Sequence, residues 1–424
     1  MSLKLFEAFG VELEYMLVDA ATLDVAPVAD RVIRARCGAF SGEIEADRGI
    51  SWSNELVSHV LELKTTDPTP SLETCAADFT ANVTAINDLA ARLPRSGGSG
   101  GPTRLMPGAM HPWMDPPSQT VLWPHEYAEV YANFHRLFDC HRHGWANLQS
   151  VHLNLPFDGD EEFGRLHAAV RLVLPLLPAL CASSPLMDGQ LTGIACNRLE
   201  VYRNNQRAVP SLSGRVVPEP VFSRADYERV ILEPIARDVE RLDPGGTMKA
   251  EWMNSRGAIA RFDRGSIEIR VMDIQECPLA DLAIVRAVVG VLRWLVSESP
   301  CPLAEHQRWP VDPLVRVLDA TIRDGDRAVI DDVEYLRVFG ITGGSHCRAS
   351  EVWEHLLDAA GVAFRTDPSL SPLKTILGLG TLSRRLSDAL GAGSGPVDRA
   401  AMRTVYRDLC DCLAAGRMYG EAAH

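Results

Sequence analysis

No stretch of this 424-residue chain stays apolar for long enough to cross a membrane. The nearest is "LAIVRAVVGVLRWLV" at 282–296, where Arg286 and Arg293 interrupt the run near one face at helical spacing, which predicts an amphipathic core helix. Glu7, Glu12 and Glu14 stand where a signal peptide needs an unbroken apolar segment. A basic excess is also missing. Lys and Arg number 42 against 56 Asp and Glu, a formal net charge of −14, so the phosphate backbone of a nucleic acid would be repelled. The ten cysteines contain no CxxC, and Cys410 with Cys412 makes only a CxC. Reduced, mostly buried thiols in a cytoplasmic protein are the expectation. There is no GxSxG and no HExxH, and no GK[ST] follows the glycine-rich "RSGGSGGPT" at 95–103. That stretch and "GAGSGP" at 391–396 therefore read as connections rather than phosphate cradles. No internal repeat is visible.

What is present is ordinary globular composition, 46% hydrophobic and 23% charged. A chain of this length buries roughly three quarters of its unfolded surface. Periodicity predicts helices at 71–93, with Ser71 as N-cap, and at 124–143, 161–182, 224–241, 279–298 and 349–361. Short alternating segments at 9–18, 59–65, 150–155 and 265–273 predict strands. Strands and helices do not alternate regularly, so the expected class is α+β: an antiparallel sheet with helices on one face and a polar face on the other. One catalytic domain spanning 1–424 is expected, mainly helical from about 300.

The four strands share a pattern. In "FGVELEYMLV" (9–18), Val11, Leu13 and Tyr15 point one way and Glu12 and Glu14 the other. In "VLELKT" (60–65), Leu61 and Leu63 oppose Val60, Glu62 and Lys64. In "VHLNLPF" (151–157), Val151, Leu153 and Leu155 oppose His152 and Asn154. In "GSIEIRVMD" (265–273), Ile267, Ile269 and Val271 oppose Glu268 and Arg270. One such strand is a solvated edge. Four raise a second reading, a sheet that is core on one side and chemistry on the other, because a merely solvated face would favour Lys and Thr over Glu, His and Asn.

If the polar faces converge, their carboxylates must repel one another, raise each other's pKa or bind cations. Oxygen ligands favour Mg²⁺ or Mn²⁺ over zinc, and His152 could ligate or orient a ligand. An arginine two residues after a metal-binding glutamate suits a phosphate on that metal. The chemistry indicated is metal-assisted phosphoryl transfer, with the acceptor left open.

These segments resemble the glutamate–cysteine ligase family, specifically its GCS2-type carboxylate–amine ligases. "GVELEYMLVD" is similar to that family's opening strand, "ELVSHVLELKT" to its second glutamate-bearing segment and "MPGAMHPW" (106–113) to a Gly-Thr-His-Pro signature with one residue more. "ALCASSPLMDGQLTGIACNR" (179–198) resembles an Ala-Asn-Ser-Pro segment ending in arginine, and "DRGSIEIRVMD" a Gly-Thr-Ile-Glu-Ile-Arg strand. The matches run in family order over about residues 8–275. The resemblance implies a glutamine-synthetase-like catalytic fold, ATP, and two or more Mg²⁺ ions, with Mn²⁺ as substitute. By position it implies Glu12, Glu55, Glu62, His152 and Glu268 as metal ligands with Glu14 beside them, Arg270 on the transferring phosphate, Lys64 with Arg270 toward the nucleotide, and Arg198 near the substrate. The "GAMHP" loop would lie at the rim. The chain departs from the family at "SVHLNL", where Ser150 replaces a His and Asn154 a Gly, and in the loop bearing Arg256, Arg261 and Arg264.

The expected function is an ATP-dependent ligase acting on small molecules: a carboxylate such as the γ-carboxylate of glutamate, and an amine such as that of cysteine, joined through an acyl phosphate. Glutathione biosynthesis would be its setting, and a homo-oligomer is compatible with the sequence. Two rivals are a non-catalytic nucleotide- or amino-acid-binding protein of the same fold, and a zinc hydrolase using His135, His141, His143 and His152.

Overall fold

The structure is a computed structural model that describes residues 3–93, 101–243, 245–246 and 248–420. The glycine-rich stretch at 95–100 lies outside the described residues. Ten strands position the site: β1 (Gly10–Asp19), β2 (Glu43–Glu45), β3 (Ile50–Asn54), β4 (Val60–Thr65), β5 (Thr103–Met106), β6 (Ser150–Pro156), β7 (Leu186–Met187), β8 (Gln190–Leu191), β9 (Ala258–Arg261) and β10 (Ser266–Asp273). Eight of them form one antiparallel sheet in the order β2-β3-β4-β1-β6-β10-β9, with β5 paired to the far half of β1. β8 pairs with β7 on one side and with Gly395–Pro396 on the other in a small side sheet, which takes in part of the second glycine-rich stretch.

Period-2 alternation decides the two faces of this sheet. Val11, Leu13, Tyr15, Leu61, Leu63, Leu153, Leu155, Ile267 and Ile269 all point into the main core and are fully or almost fully buried. That face is covered by the helices Cys75–Ala90, Gly159–Val173 and Pro278–Val296. The last of these is the amphipathic helix expected at 279–298. Its two arginines leave the core, Arg286 to Asp367 at 2.8 Å and Arg293 over the ring of Phe6. The opposite face is divided. Over the first half of β1 it carries Glu12 and Glu14. Over the second half Met16 and Val18, with Val60 and Met106, pack under Tyr406 and Leu409 of the helix Arg399–Ala415. The site is therefore an open end of a face otherwise sealed by a second core. Among the described residues no helix is long and apolar enough to cross a membrane.

Several expected helices are shorter or broken, for local reasons. The segment expected at 124–143 is helical only over Ala128–Phe138, bracketed by Tyr127 and Asp139 in left-handed backbone. The segment at 161–182 breaks after Val173 into two short turns that begin around Pro175 and Pro178, whose rings cannot continue the ladder. At 224–241 the helix widens into a π turn over Glu228–Leu232 immediately before Pro234, which lacks the N–H of a regular turn. Ser71 does not cap the next helix, which starts at Cys75. Its hydroxyl accepts instead from the Glu73 N–H in the preceding turn.

Candidate active site

Register brings the polar residues of four strands side by side. Glu12 lies opposite His152 on one neighbour and Lys64 on the other, and Glu14 lies opposite Glu62. Glu268 lies opposite Asn154, and Glu62 opposite Ser53. Glu55 joins them from the connection after β3. Glu12, Glu14, Glu55, Glu62, Lys64, His152 and Glu268 form one wall of a cavity of about 420 Å³, which Arg198, Arg261, Arg264 and Arg270 also line.

Within this wall each acid has a fixed place. His152 Nδ1 lies 2.7 Å from Glu12 Oε2, while its Nε2 is 3.7 Å from Glu14 Oε1. Glu268 Oε1 lies 3.9 Å from the same imidazole. Ligand atoms of Glu12, Glu62 and His152 fall within 4.8 Å of one another, and so do those of Glu14, Glu55 and Glu62. Two overlapping triads of hard oxygen donors with one nitrogen suit divalent Mg²⁺ or Mn²⁺.

The electrostatics show how crowded this wall is. Burial alone would raise Glu12, but the hydrogen bond and charge of His152, then Lys64 and Arg270, hold it at about 2. Burial alone would lower His152, but the Glu12 bond and the charges of Glu14, Glu12 and Glu268 push it up to about 9. Burial and then the Glu12 charge raise Glu62 to about 7. Burial, Glu14 and Glu62 drive Glu55 well above the carboxylate range. Such crowding draws protons onto the wall, and a divalent cation would relieve the same like-charge repulsion more strongly. The donor set fits the metal that the resemblance implies.

The two departures from the family pattern support this wall. The Ser150 N–H and hydroxyl both donate to Glu14 Oε2, at 2.6 and 2.8 Å. Asn154 Nδ2 donates to Glu12 Oε1 at 3.0 Å. Asn154 can lie there because its partner across the strands is Gly10, where a Cβ would sit 3.0 Å from the Asn154 Cβ. Both residues share His152's strand face, which alternation alone reveals. The Ser53 hydroxyl donates to Glu62 at 2.6 Å, a support no sequence pattern announces.

The cations are placed as follows. Arg270 is ion-paired with Glu268 and sits in a bulge, where β10 gains a residue between Ile269 and Met272. Such bulges re-aim side chains. Arg198 is almost wholly buried. It donates to the Arg270 backbone carbonyl at 2.8 Å and pairs with Asp273 at 3.4 Å. It both lines the cavity and braces the bulge. Lys64 Nζ lies 2.7 Å from Glu43 and 3.5 Å from Glu62. Of the three loop arginines, Arg261 and Arg264 line the cavity, whereas Arg256 is buried in a pair with Glu219 at 2.5 Å. Sequence reasoning missed the aromatic lining of Tyr131, Trp145, Tyr202 and Trp252, which comes from distant segments.

Two expectations are overturned. The "GAMHP" loop does not line the cavity: His111 is fully buried, bonded to the Leu23 carbonyl, and burial pushes it down to about 4. The zinc arrangement is not formed. His143 pairs with Asp188, the His135 and His141 rings lie tilted against each other, and neither candidate metal triad among the described residues includes them.

No cysteine lines the cavity, and the ten thiols are free. Burial pushes Cys140, Cys410 and Cys412 up to about 12, far from the reactive thiolate range. Replacing any one cysteine with Ser should leave ADP release from ATP within a few-fold, although a buried change such as Cys410→Ser should lower the melting temperature. A folded Cys→Ser variant without turnover would point to covalent catalysis instead.

The model of glutamate–cysteine ligase family 2 (GCS2) matches residues 8–381. An uncharacterized protein of Archaeoglobus fulgidus is 31% identical over 327 residues, covering 77% of this chain and 82% of its own. A protein of Rubrobacter xylanophilus named "Putative glutamate--cysteine ligase 2-3" is 26% identical over 310 residues, 71% of this chain and 73% of its own. The glutamate–cysteine ligase of Francisella tularensis, solved in complex with AMP, superposes with a TM-score of 0.56 at 13% identity, covering 100% of this chain and 91% of that one. The bifunctional glutathione synthetase of Pasteurella multocida gives 0.59 at 14% identity over 97% of this chain, which spans only 53% of that longer enzyme. At these identities the two superpositions speak for the fold.

Proposed function

This chain belongs to glutamate–cysteine ligase family 2, whose members are ATP-dependent carboxylate–amine ligases, and from that premise we propose that it joins the γ-carboxylate of glutamate to an amine such as that of cysteine. The observation that carries the reading is the convergence of Glu12, Glu14, Glu55, Glu62, His152 and Glu268 with Arg270 in one cavity.

In this reading Glu14, Glu55 and Glu62 would hold one divalent cation, and Glu12, Glu62 and His152, with Glu268 beside them, would hold a second. Bound there, the cations supply positive charge to the triphosphate of ATP. The chain's own residues do the rest. Arg270 meets the γ-phosphoryl oxygens with a guanidinium that Glu268 already orients. Arg198 keeps the β10 bulge in place, and Lys64 adds charge beside Glu12. A carboxylate oxygen of the substrate attacks the γ-phosphorus and ADP leaves. The amine nitrogen then attacks the acyl carbon, the C–O bond to phosphate breaks, an amide forms, and the amine proton leaves with inorganic phosphate. No protein nucleophile is needed, in keeping with a cavity that no cysteine lines. A binding-only member of the fold would be expected to have lost some of these ligands, and all six are present.

The test is ADP release with ATP, glutamate and a panel of amines. Turnover should depend on both organic substrates, stop in excess EDTA and return with Mg²⁺ or Mn²⁺. Full activity in EDTA would refute the metal-assisted reading, and ADP release indifferent to every carboxylate would refute the ligase.

A further inference from the structure

The "CASSP" segment at 181–185 belongs to the stretch that resembles a family motif, yet none of its residues lines the cavity. Its polar groups end on Asp273, the last residue of β10. The Ser183 N–H and the Ser184 hydroxyl both donate to Asp273 Oδ2, at 2.9 and 3.0 Å. The Cys196 thiol lies 3.4 Å from each carboxylate oxygen, and Arg198 Nη1 lies 3.4 Å from Oδ1. The Asp273 side chain is fully buried and does not line the cavity either. Burying a carboxylate is costly unless it is well bonded. Here the bonding groups all come from one segment, residues 183–198.

Arg198 links this carboxylate to the site. Its Nη2 donates to the Arg270 carbonyl at 2.8 Å, and its backbone N–H donates to the Ser184 hydroxyl at 3.1 Å. Asp273 is its ion-pair partner. Its Nε is buried and has no hydrogen-bond partner among the described residues. The guanidinium is thus held between a carboxylate and a single carbonyl. Without the Asp273 charge, only that neutral acceptor would hold Arg198, beside a wall of glutamates that attracts it. The Arg270 carbonyl would then lose its donor and the bulge its brace.

We propose that Asp273 is a positioning residue: through Arg198 it fixes the bulged backbone from which Arg270 reaches the transferring phosphoryl group. This rests on the ligase reading above. The two serines of the "CASSP" segment serve the same end, because they hold the carboxylate against Arg198.

The experiment uses the full chain with ATP, Mg²⁺, glutamate and cysteine. Asp273→Asn keeps the side chain's shape and removes its charge. Its kcat for ADP release should fall by roughly 10–10²-fold, the scale of a small misplacement, while KM for ATP and for glutamate moves less than about threefold. Combined with Arg270→Lys, it should cost less than about a further threefold, because a fork that is already lost cannot be misplaced again. A carboxylate that only stabilises the fold would give losses that multiply in the double variant. If Asp273→Asn fails to fold, Ser184→Ala carries the same test. It removes one hydroxyl from the carboxylate and leaves the charge, so kcat should fall by roughly threefold to tenfold, again without a further loss beside Arg270→Lys. A folded variant with unchanged kcat, or losses that multiply, would overturn the positioning role while leaving the ligase standing. Absence of glutamate-dependent ADP release in the unaltered protein would overturn the ligase reading and this role with it.

Discussion

Glu268→Gln should fold and should have lost ATP turnover. The substitution keeps the side chain's shape and removes its charge at a position whose carboxylate is almost wholly buried, 3.9 Å from the His152 ring and paired with Arg270. Two consequences follow from the geometry. A divalent cation loses a charged oxygen near His152, so its affinity and that of ATP fall. The Arg270 guanidinium keeps its charge but loses the partner that orients it, and unpairing one member of a buried ion pair typically costs about 3–5 kcal/mol of stability. Turnover and melting temperature should therefore be measured together. If Glu268 were only half of a surface pair, the loss would be about 0–1 kcal/mol and ADP release would be normal. That outcome would remove the residue from the site.

Arg270→Lys should cut the rate of ADP release by roughly 10²–10³, the usual scale for losing one transition-state donor. ATP affinity should change much less. Lysine keeps the charge but has no planar fork to meet two phosphoryl oxygens at once. The effect should fall on kcat because the backbone at 270 is held independently of the side chain: the Arg270 N–H donates to the Gly257 carbonyl at 3.0 Å, and its carbonyl accepts from Arg198 at 2.8 Å. A KM effect on ATP with unchanged kcat would mean that Arg270 contributes ground-state binding rather than catalysis.

The polar wall is legible in the sequence because alternation is a property of the extended backbone itself. Once a segment is a strand, Glu12 and Glu14 must leave the face that Val11, Leu13 and Tyr15 enter, and Glu268 must leave the face of Ile267 and Ile269. Ser150 and Asn154 were on the same face as His152 by the same rule. Less was legible where an element is short or where its signal is not local. β2 has three residues and β9 four, too few for a period to stand out. His111 carried a motif resemblance, yet a histidine in a loop gives no sign of whether it faces a cavity or, as here, a backbone carbonyl in the interior. The arginines of the loop before β10 looked alike in sequence. Only packing separated Arg256, buried against Glu219, from Arg261 and Arg264 in the cavity.

By itself, then, the sequence determined the fold class, the acidic and basic residues that share a face, and the family whose chemistry they match. It did so because binary pattern and motif spacing are written in consecutive residues. Tertiary structure alone decided the distances. β4, β1, β6 and β10 are neighbours in the sheet although Glu12 and Glu268 are some 250 positions apart in the chain, and their register sets which carboxylate meets which cation. The bulge that aims Arg270 and the arginine that braces it from a separate helix join segments with no sequence relation to one another. Such contacts arise from the packing of one element against another, and no local pattern encodes them.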